Sequence, residues 1–182
     1  MIYEDNSNVL ETKFCRFDAD IGLCDGAQIA GYASLFNAED KGGDVVQKGA
    51  YAASLARHSK AGSNVKMLWQ HDPMQPIGVW DEFREDDKGL FVKGRLLPEV
   101  QAGREALALL QAGAIDGLSI GYRVVRAEKS AGGRLLHEIE LWEVSMVTFP
   151  MLPEARVAPM GDEAALAQSL AETFRQARDL LA

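Results

Sequence analysis

Three short segments of the chain carry side chains suited to nucleophilic and acid–base chemistry, and they centre on His71, Ser119 and Glu143. A serine hydroxyl is a weak nucleophile until a neighbouring base takes its proton. An imidazole titrates near neutrality, so it can accept that proton and return it within one reaction cycle. A carboxylate can fix the imidazole tautomer and stabilise its charged form. These residue types are the ones that acyl transfer at a serine requires.

The segment around Ser119 has a glycine on each side, at Gly117 and Gly121. These glycines leave open space above the hydroxyl for a substrate carbonyl, although a serine without chemical function at a glycine-rich strand end has the same pattern. The segment also matches the G-x-S-x-G nucleophile elbow, which leads from a strand into a helix. Residues 121–126 are strand-like, and His137 is the only histidine that follows, so we reject the elbow and the small esterase that it would indicate.

His71 ends an apolar strand pattern at residues 65–71 and is soon followed by Pro73. This position favours His71 as the base that activates Ser119, and the alternative is a surface histidine beside a turn. Asp72 is adjacent in sequence, but successive side chains of a strand point to opposite faces. We therefore expect that Asp72 does not orient the imidazole of His71.

The third member of the site is predicted on a long strand pattern at residues 135–149. One face of this strand would carry His137, Ile139, Leu141, Glu143, Ser145 and Val147. Glu143 lies among apolar neighbours, so its charge should be paired. We predict that Glu143 is the group that orients the base, with a purely structural ion pair as its alternative role and Glu140 and His137 as the alternative residues.

Strand patterns dominate the middle of the chain, and helices are interspersed singly. Strands are predicted at 28–36, 65–71, 77–84, 90–97, 115–126 and 135–149, and helices at 49–60 and 99–111. The strands 77–84 and 90–97 should form a hairpin across the turn-like residues 85–89. This order lacks the regular βαβ alternation of a parallel sheet. The predicted fold is α+β, with a mainly antiparallel, barrel-like sheet.

The composition of the chain shifts after Pro153. Residues 161–182 are rich in alanine and leucine, and an apolar stripe is formed by Leu166, Leu170, Phe174, Ala177 and Leu181. This spacing predicts an amphipathic helix. We therefore divide the chain into a main domain at 1–158 and a C-terminal helix at 159–182. The helix could cover the sheet, dock on another protein, pair two copies of the chain or be a tail that self-cleavage removes.

Composition narrows the range of functions. Apolar residues make up 47% of the 182 residues and charged residues 25%, as in soluble globular proteins. The net charge of −8 disfavours a nucleic-acid partner, which needs a basic face. We expect no membrane partner and no signal peptide, because the start is polar and no apolar run approaches about 20 residues. Cys15 and Cys24 lack the spacing of a zinc site, so we predict reduced thiols in a cytoplasm.

Several short motifs occur in an order that resembles the prohead protease family of tailed phages, which is related to herpesvirus assemblin. They are GYASLF (31–36), GDVV (43–46), WQHD (69–72), PIG (76–78), GL (89–90), GRE (103–105), GLSIGY (117–122), EVS (143–145) and TFP (148–150). Each motif alone is weak, and the ordered set is specific. The resemblance covers roughly residues 28–157.

The resemblance implies an assemblin-like barrel surrounded by helices, and peptide hydrolysis through an acyl-enzyme with no metal or cofactor. Ser119 matches the nucleophile of the family and His71 its base. Glu143 matches the position of the third member, which is a second histidine in the herpesvirus branch. The oxyanion donor of the family follows the third segment, where Arg156 and its backbone N–H are the candidates.

The resemblance also implies substrates and a location. The substrates would be the major capsid protein, through its N-terminal scaffolding segment, then the scaffold, and the protease itself. The enzyme would act inside the immature head in the host cytoplasm, with a portal contact and a homodimer as further partners. The competing hypothesis is a catalytically silent capsid-assembly module that binds head proteins through its C-terminal helix.

Overall fold

The computed structural model describes residues 2–4, 11–15, 22–24, 27–40, 42–130 and 132–149. The strands are β1 Ile2–Glu4, β2 Glu11–Cys15, β3 Gly22–Cys24, β4 Gln28–Leu35, β5 Asp44–Val46, β6 Lys66–Trp69, β7 Asp72–Glu85, β8 Gly89–Leu96, β9 Gly117–Lys129 and β10 Arg134–Val147. The helices are α1 Ala52–Ala61 and α2 Gln101–Gln111. The predicted C-terminal helix and Arg156 lie outside the described residues.

The strands form one mixed sheet in the order β1-β9-β10-β6-β7-β8-β4-β3, with β2 on β9 and β5 on β10. Most neighbours are antiparallel, as predicted, but β10 runs parallel to both β5 and β6. β4 is far from β9 in the strand order, yet it lies close to both β9 and β2. The sheet is therefore curled. This curl brings the buried faces of distant strands around one apolar core.

The alternation of side chains across each strand determines which residues reach the core. In β8 the buried positions include Leu90, Val92, Gly94 and Leu96, while the residues between them are more exposed. The predicted hairpin is confirmed by the antiparallel pairing of β7 with β8. Both predicted helices are present, and α2 ends just before Gly113, which has the positive φ of a helix-terminating glycine.

Two predicted boundaries around His71 are wrong. The strand β6 ends at Trp69, and β7 begins at Asp72 and continues through Pro73 and Pro76. Proline normally interrupts a ladder because it lacks an N–H donor. Here the β6–β7 register shifts twice along this stretch, so the prolines lie where the ladder is irregular. His71 therefore lies in the turn between two strands and not at the end of one.

Candidate active site

Ser119 lies on β9 directly opposite Ser145 of β10. Its hydroxyl is 2.6 Å from Nε2 of His71. The residue has no exposed surface, and Phe14 of β2 is its partner on the other edge of β9. Residues 117–129 form a continuous strand, so the rejection of the nucleophile elbow is confirmed.

His71 occupies a two-residue turn together with Gln70. Their φ angles are 62° and 52°, and Trp69 pairs with Asp72 across the turn. Positive φ at both central residues is the signature of a type I′ hairpin turn, which usually contains asparagine or glycine. Residues with a Cβ are strained in this region, and such strain persists only where the surroundings hold it. The backbone conformation of the turn that carries the imidazole must therefore be stabilised by neighbouring residues.

The turn is held by hydrogen bonds to β10 and to the residues after it. The backbone N–H of Gln70 donates to the carbonyl oxygen of Met146 at 2.9 Å, and that of His71 donates to Oγ of Ser145 at 3.2 Å. The side-chain amide of Gln70 donates to Oγ1 of Thr148 at 2.6 Å. Together these bonds fix the ring of His71 against the strand that carries Glu143.

Glu143 is 4% exposed and its carboxylate contacts the other ring nitrogen of His71. Oε1 of Glu143 lies 2.5 Å from Nδ1 of His71. An ionised carboxylate only accepts hydrogen bonds, so Nδ1 carries the ring proton and Nε2 is the basic nitrogen that faces Ser119. The geometry joins hydroxyl, imidazole and carboxylate in one chain of hydrogen bonds, as in serine hydrolases.

Ser145 also belongs to this cluster, although no role for it is predicted from the sequence. Its hydroxyl donates to Oε2 of Glu143 and accepts the backbone N–H of His71. It is fully buried. Ser145 is thus hydrogen-bonded both to the carboxylate of Glu143 and to the turn that carries His71. The available signal was its place two residues after Glu143, on the same predicted face.

Gly121 has a different purpose from the one expected. A Cβ at this position would lie 2.1 Å from Oε1 of Glu143. The space that the missing side chain leaves is therefore filled by the carboxylate of Glu143, so the prediction that it admits a substrate carbonyl is wrong for Gly121. The spacing of Gly121 from Ser119 could not reveal this, because it depends on the pairing of β9 with β10.

The alternative third residues lie elsewhere. Glu140 accepts two hydrogen bonds from Arg123, at 2.7 and 3.1 Å. His137 has its Nε2 3.4 Å from Glu128. The expectation for Asp72 is confirmed, because its carboxylate accepts from Gln75 and from the backbone N–H of Met74, and these bonds lower the pKa of Asp72. Among the described residues, no group of three or more His, Cys, Asp or Glu residues could hold a metal ion.

Comparisons with known proteins identify the family of this chain. A family model described as caudovirus prohead serine protease matches residues 18–171. The chain belongs to this family. The resemblance seen in the ordered motifs is thereby confirmed. No helix in the described part of this prohead protease family member has both the length and the apolar character to cross a membrane.

Two relatives in sequence are phage proteins. The family member described here is 36% identical over 142 residues to the prohead protease of Enterobacteria phage HK97, which takes in 75% of this chain. The chain spans 62% of the length of that relative. It is also 32% identical over 101 residues to the capsid polyprotein of Pseudomonas phage PAJU2, covering 51% of this chain and 15% of the polyprotein.

A solved structure has a similar fold. The bacteriophage T4 capsid assembly protease matches 78% of this chain and 98% of its own chain, with a TM-score of 0.61. The sequence identity is 16%, so this likeness concerns the fold alone. It supports the prediction in its coarser form, a curled and sheet-dominated fold with two helices in the described part of the chain.

Proposed function

We propose that the chain is a serine endopeptidase that cleaves head proteins during the maturation of a tailed-phage prohead. The observation that carries this proposal is the chain of contacts from Ser119 through His71 to Glu143, in a member of the prohead serine protease family. Each residue occupies the place that its chemistry requires. Ser119 is the nucleophile, His71 is the general base and Glu143 orients the base.

The reaction follows from this geometry. Oγ of Ser119 attacks the scissile carbonyl while Nε2 of His71 takes the hydroxyl proton, and the same nitrogen then gives that proton to the leaving amine. Glu143 is buried beside the ring, so its attraction for the imidazolium that forms is stronger than it would be in water. Water then attacks the acyl-enzyme with His71 again as base, which releases the new carboxylate and restores Ser119.

The developing oxyanion needs hydrogen-bond donors as well. We propose the backbone N–H near Arg156 for this purpose, a residue outside the described part of the chain. Loss of one such donor costs roughly 3–4 kcal/mol of transition-state stabilisation. Because Ser119 has no exposed surface, substrate binding must also open the structure locally above its hydroxyl.

The proposed substrates are the major capsid protein, through its N-terminal scaffolding segment, then the scaffold and the protease itself. The name of the HK97 relative, a prohead protease, supports this choice. The enzyme would act inside the immature head within the host cytoplasm, with contacts to the portal and to a second copy of the chain. No nucleic-acid partner is proposed, because the net charge is −8.

The finer architecture belongs to the same proposal. The protease domain would be residues 1–158, with an assemblin-like barrel that helices surround. Residues 159–182 would form an amphipathic helix that docks on head proteins, pairs two copies or is removed by self-cleavage. The apolar stripe of five residues in this segment supports the helix.

Co-expression with the major capsid protein of the same phage tests the proposal. We expect the parent chain to shorten the capsid protein, and mass spectrometry to locate the cut. Ser119→Ala and His71→Ala should leave the capsid protein at full length, because each loss removes most of the catalysis of such a site. Trimming that both variants perform at the parental rate would contradict the proposal. Assembled heads with uncut capsid protein beside the parent chain would favour the silent assembly module.

A further inference from the structure

The strand β10 has a gap along the edge that faces away from β9. On this edge it pairs with β5 at Arg134–Leu136 and with β6 at Glu143–Met146. No strand in the described part of the chain pairs with residues 137–142 there. The backbone groups of β10 on this stretch therefore need other partners, since an unpaired buried amide or carbonyl is costly.

The segment that contains α1 supplies these partners. The N–H of Ile139 donates to the carbonyl oxygen of Ala50 at 3.0 Å. The N–H of Leu141 donates to Oγ of Ser54 at 2.9 Å. The carbonyl oxygen of Leu141 accepts from Nε2 of His58 at 2.8 Å. Ser54 and His58 are four residues apart, so they share one face of α1 and bind both backbone groups of the same residue.

The orientation of His58 is itself fixed. A carbonyl oxygen can only accept, so Nε2 of His58 must carry the proton in this contact. The other ring nitrogen lies 2.9 Å from Oγ of Ser63. Ser63 follows Gly62, which ends α1 with a φ of 62° and so turns the chain back toward the ring. The end of the helix thereby holds the imidazole in place for Leu141.

Leu141 lies at the point where β10 becomes irregular before Glu143. Leu141 pairs with Tyr122 of β9 and Glu143 pairs with Gly121, so Trp142 has no partner on β9. Such a bulge changes the direction in which the following side chain points. Trp142 is 44% exposed, whereas Glu143 points inward to His71. The position of Leu141 therefore determines where the carboxylate of Glu143 is aimed.

We propose that Ser54 and His58 are positioning residues that fix the bulge of β10 and so aim Glu143 at His71. This inference rests on the proposed function, because it matters for catalysis only if Glu143 orients the base. The side-chain hydrogen bonds of Ser54 and His58 go to Leu141 and Ser63, and not to Ser119, His71 or Glu143. They act through the backbone of Leu141.

Four variants separate this role from simple support of the helix. His58→Gln keeps an N–H donor at about the position of Nε2, whereas His58→Met fills a similar volume without a donor. Ser54→Ala removes the acceptor and is favourable in a helix, so it tests the proposal even if His58→Met does not fold. Ser59→Ala is the matched control, since Ser59 is an exposed serine of the same helix.

Two measurements are made on each variant. The first is the NMR signal of the Nδ1 proton of His71, which reports its contact with Glu143 without any reaction and is assigned by its loss in His71→Ala. The second is the rate at which a fluorophosphonate labels Ser119. We expect His58→Met and Ser54→Ala to shift or broaden the signal and to slow labelling by about 10- to 100-fold, as small misplacements in active sites do. His58→Gln and Ser59→Ala should resemble the parent in both.

The outcomes distinguish the two proposals. A parental His71 signal and a parental labelling rate in both His58→Met and Ser54→Ala would overturn the positioning role, even if their melting temperatures fall. A parent chain that is never labelled at Ser119 would instead contradict the proposed function. In that case the NMR signal still decides whether Ser54 and His58 aim Glu143.

Discussion

The carboxylate of Glu143 makes a separate contact with each of its oxygens. Oε1 meets the ring of His71 and Oε2 accepts the hydroxyl of Ser145. Glu143 and Ser145 are buried, and the two contacts hold the carboxylate in one orientation relative to the imidazole. A residue held in this way can fix the ring tautomer and stabilise the charge that appears during acylation. Glu143 contacts Nδ1 of His71, and Ser119 contacts Nε2 of the same ring. A purely structural ion pair would not require this placement of the carboxylate.

Replacement of Glu143 by Gln tests this role. The amide keeps the size of the side chain but removes its charge, so the imidazolium loses its stabilising partner. We expect the rate of fluorophosphonate labelling to fall by about 10²- to 10⁴-fold, in line with the loss of a triad carboxylate. Glu140→Gln is the control, because Glu140 lies on the same strand as Glu143 but pairs with Arg123 of β9. Equal rates in Glu143→Gln and the parent would show that Glu143 is only structural.

The chemistry-bearing residues could be predicted from sequence because their types are few and their motifs are ordered. Ser119, His71 and Glu143 all meet in the structure. The purposes of Ser145 and Gly121 could not be predicted in the same way. They depend on which residues of β9 and β10 lie opposite each other, and a register of that kind is set by long-range pairing.

At the scale of elements, the site combines side chains from two paired strands and from one turn. The β6–β7 turn carries His71, β9 carries Ser119 and β10 carries Glu143. β10 lies between β9 and β6 in the sheet, so it is the element that joins Ser119 to His71. Small changes in the approach of β9 to β10 should therefore affect the site directly.

Gly121→Ala tests this close approach. The added Cβ would meet Oε1 of Glu143 at 2.1 Å, and the paired backbones of β9 and β10 cannot move apart without loss of hydrogen bonds. We expect labelling of Ser119 to slow by about 100-fold, since the carboxylate must leave His71. The substitution should also lower the free energy of unfolding by about 1–3 kcal/mol, as overpacking does.

A double-mutant cycle shows whether Gly121 acts through Glu143. In a Glu143→Ala background, the added methyl group meets no carboxylate, so Gly121→Ala should cause little further loss of labelling. Fully additive losses would contradict the assigned contact, because independent sites add and residues in contact do not.

The predicted strands were most accurate where side chains alternate regularly, as in the β7–β8 hairpin. They are least accurate at residues 65–76, where the pattern predicts that His71 ends a strand and the structure has it in a turn. The structure uses a type I′ turn without asparagine or glycine there, so the usual sequence signal is missing. Strained backbone of this kind is expected at functional sites, and sequence patterns based on conformational propensity do not predict it.

At the scale of the whole molecule, the sheet depends on contacts between strands that are distant in sequence. The α+β class and the dominance of strands could be predicted from alternation alone. The parallel pairing of β10 with β5 and β6 and the curl of the sheet could not, because alternation does not reveal which strands are neighbours. The division at residue 158 and the C-terminal helix remain predictions.

One long-range contact makes stability depend on pH. The hydroxyl of Tyr32 on β4 donates to Oδ2 of Asp86 in the β7–β8 turn at 2.7 Å. This bond lowers the pKa of Asp86 and raises the pKa of Tyr32. Asp86, whose pKa is lowered, contributes stability above the ordinary pKa of Asp, and this contribution is lost as the pH falls through its pKa in the folded protein. Tyr32, whose pKa is raised, contributes stability below the ordinary pKa of Tyr, and this contribution is lost as the pH rises through its pKa in the folded protein.

Tyr32→Phe should therefore destabilise the protein mainly at pH values between the ordinary pKa of Asp and the ordinary pKa of Tyr. The ring of Tyr32 packs edge-on against Phe91, with centroids 5.5 Å apart, and the substitution preserves this contact. We expect the free energy of unfolding at pH 7 to fall by about 1 kcal/mol, the typical net value of one hydrogen bond. Denaturant titrations from about pH 2 to pH 11 should show the difference shrinking below the ordinary pKa of Asp and above the ordinary pKa of Tyr. A difference that is constant with pH would contradict the role of the Asp86 charge.

The most direct test of the account is where, and how fast, a fluorophosphonate reacts with the protein. Peptide mapping by mass spectrometry should find the label on Ser119 of the parent chain. Labelling should be absent in Ser119→Ala and slower by at least about 10³-fold in His71→Ala, because a serine without its base is a poor nucleophile. Label on a different residue, or equal labelling of the parent and Ser119→Ala, would contradict the assignment of Ser119, His71 and Glu143 as a catalytic unit.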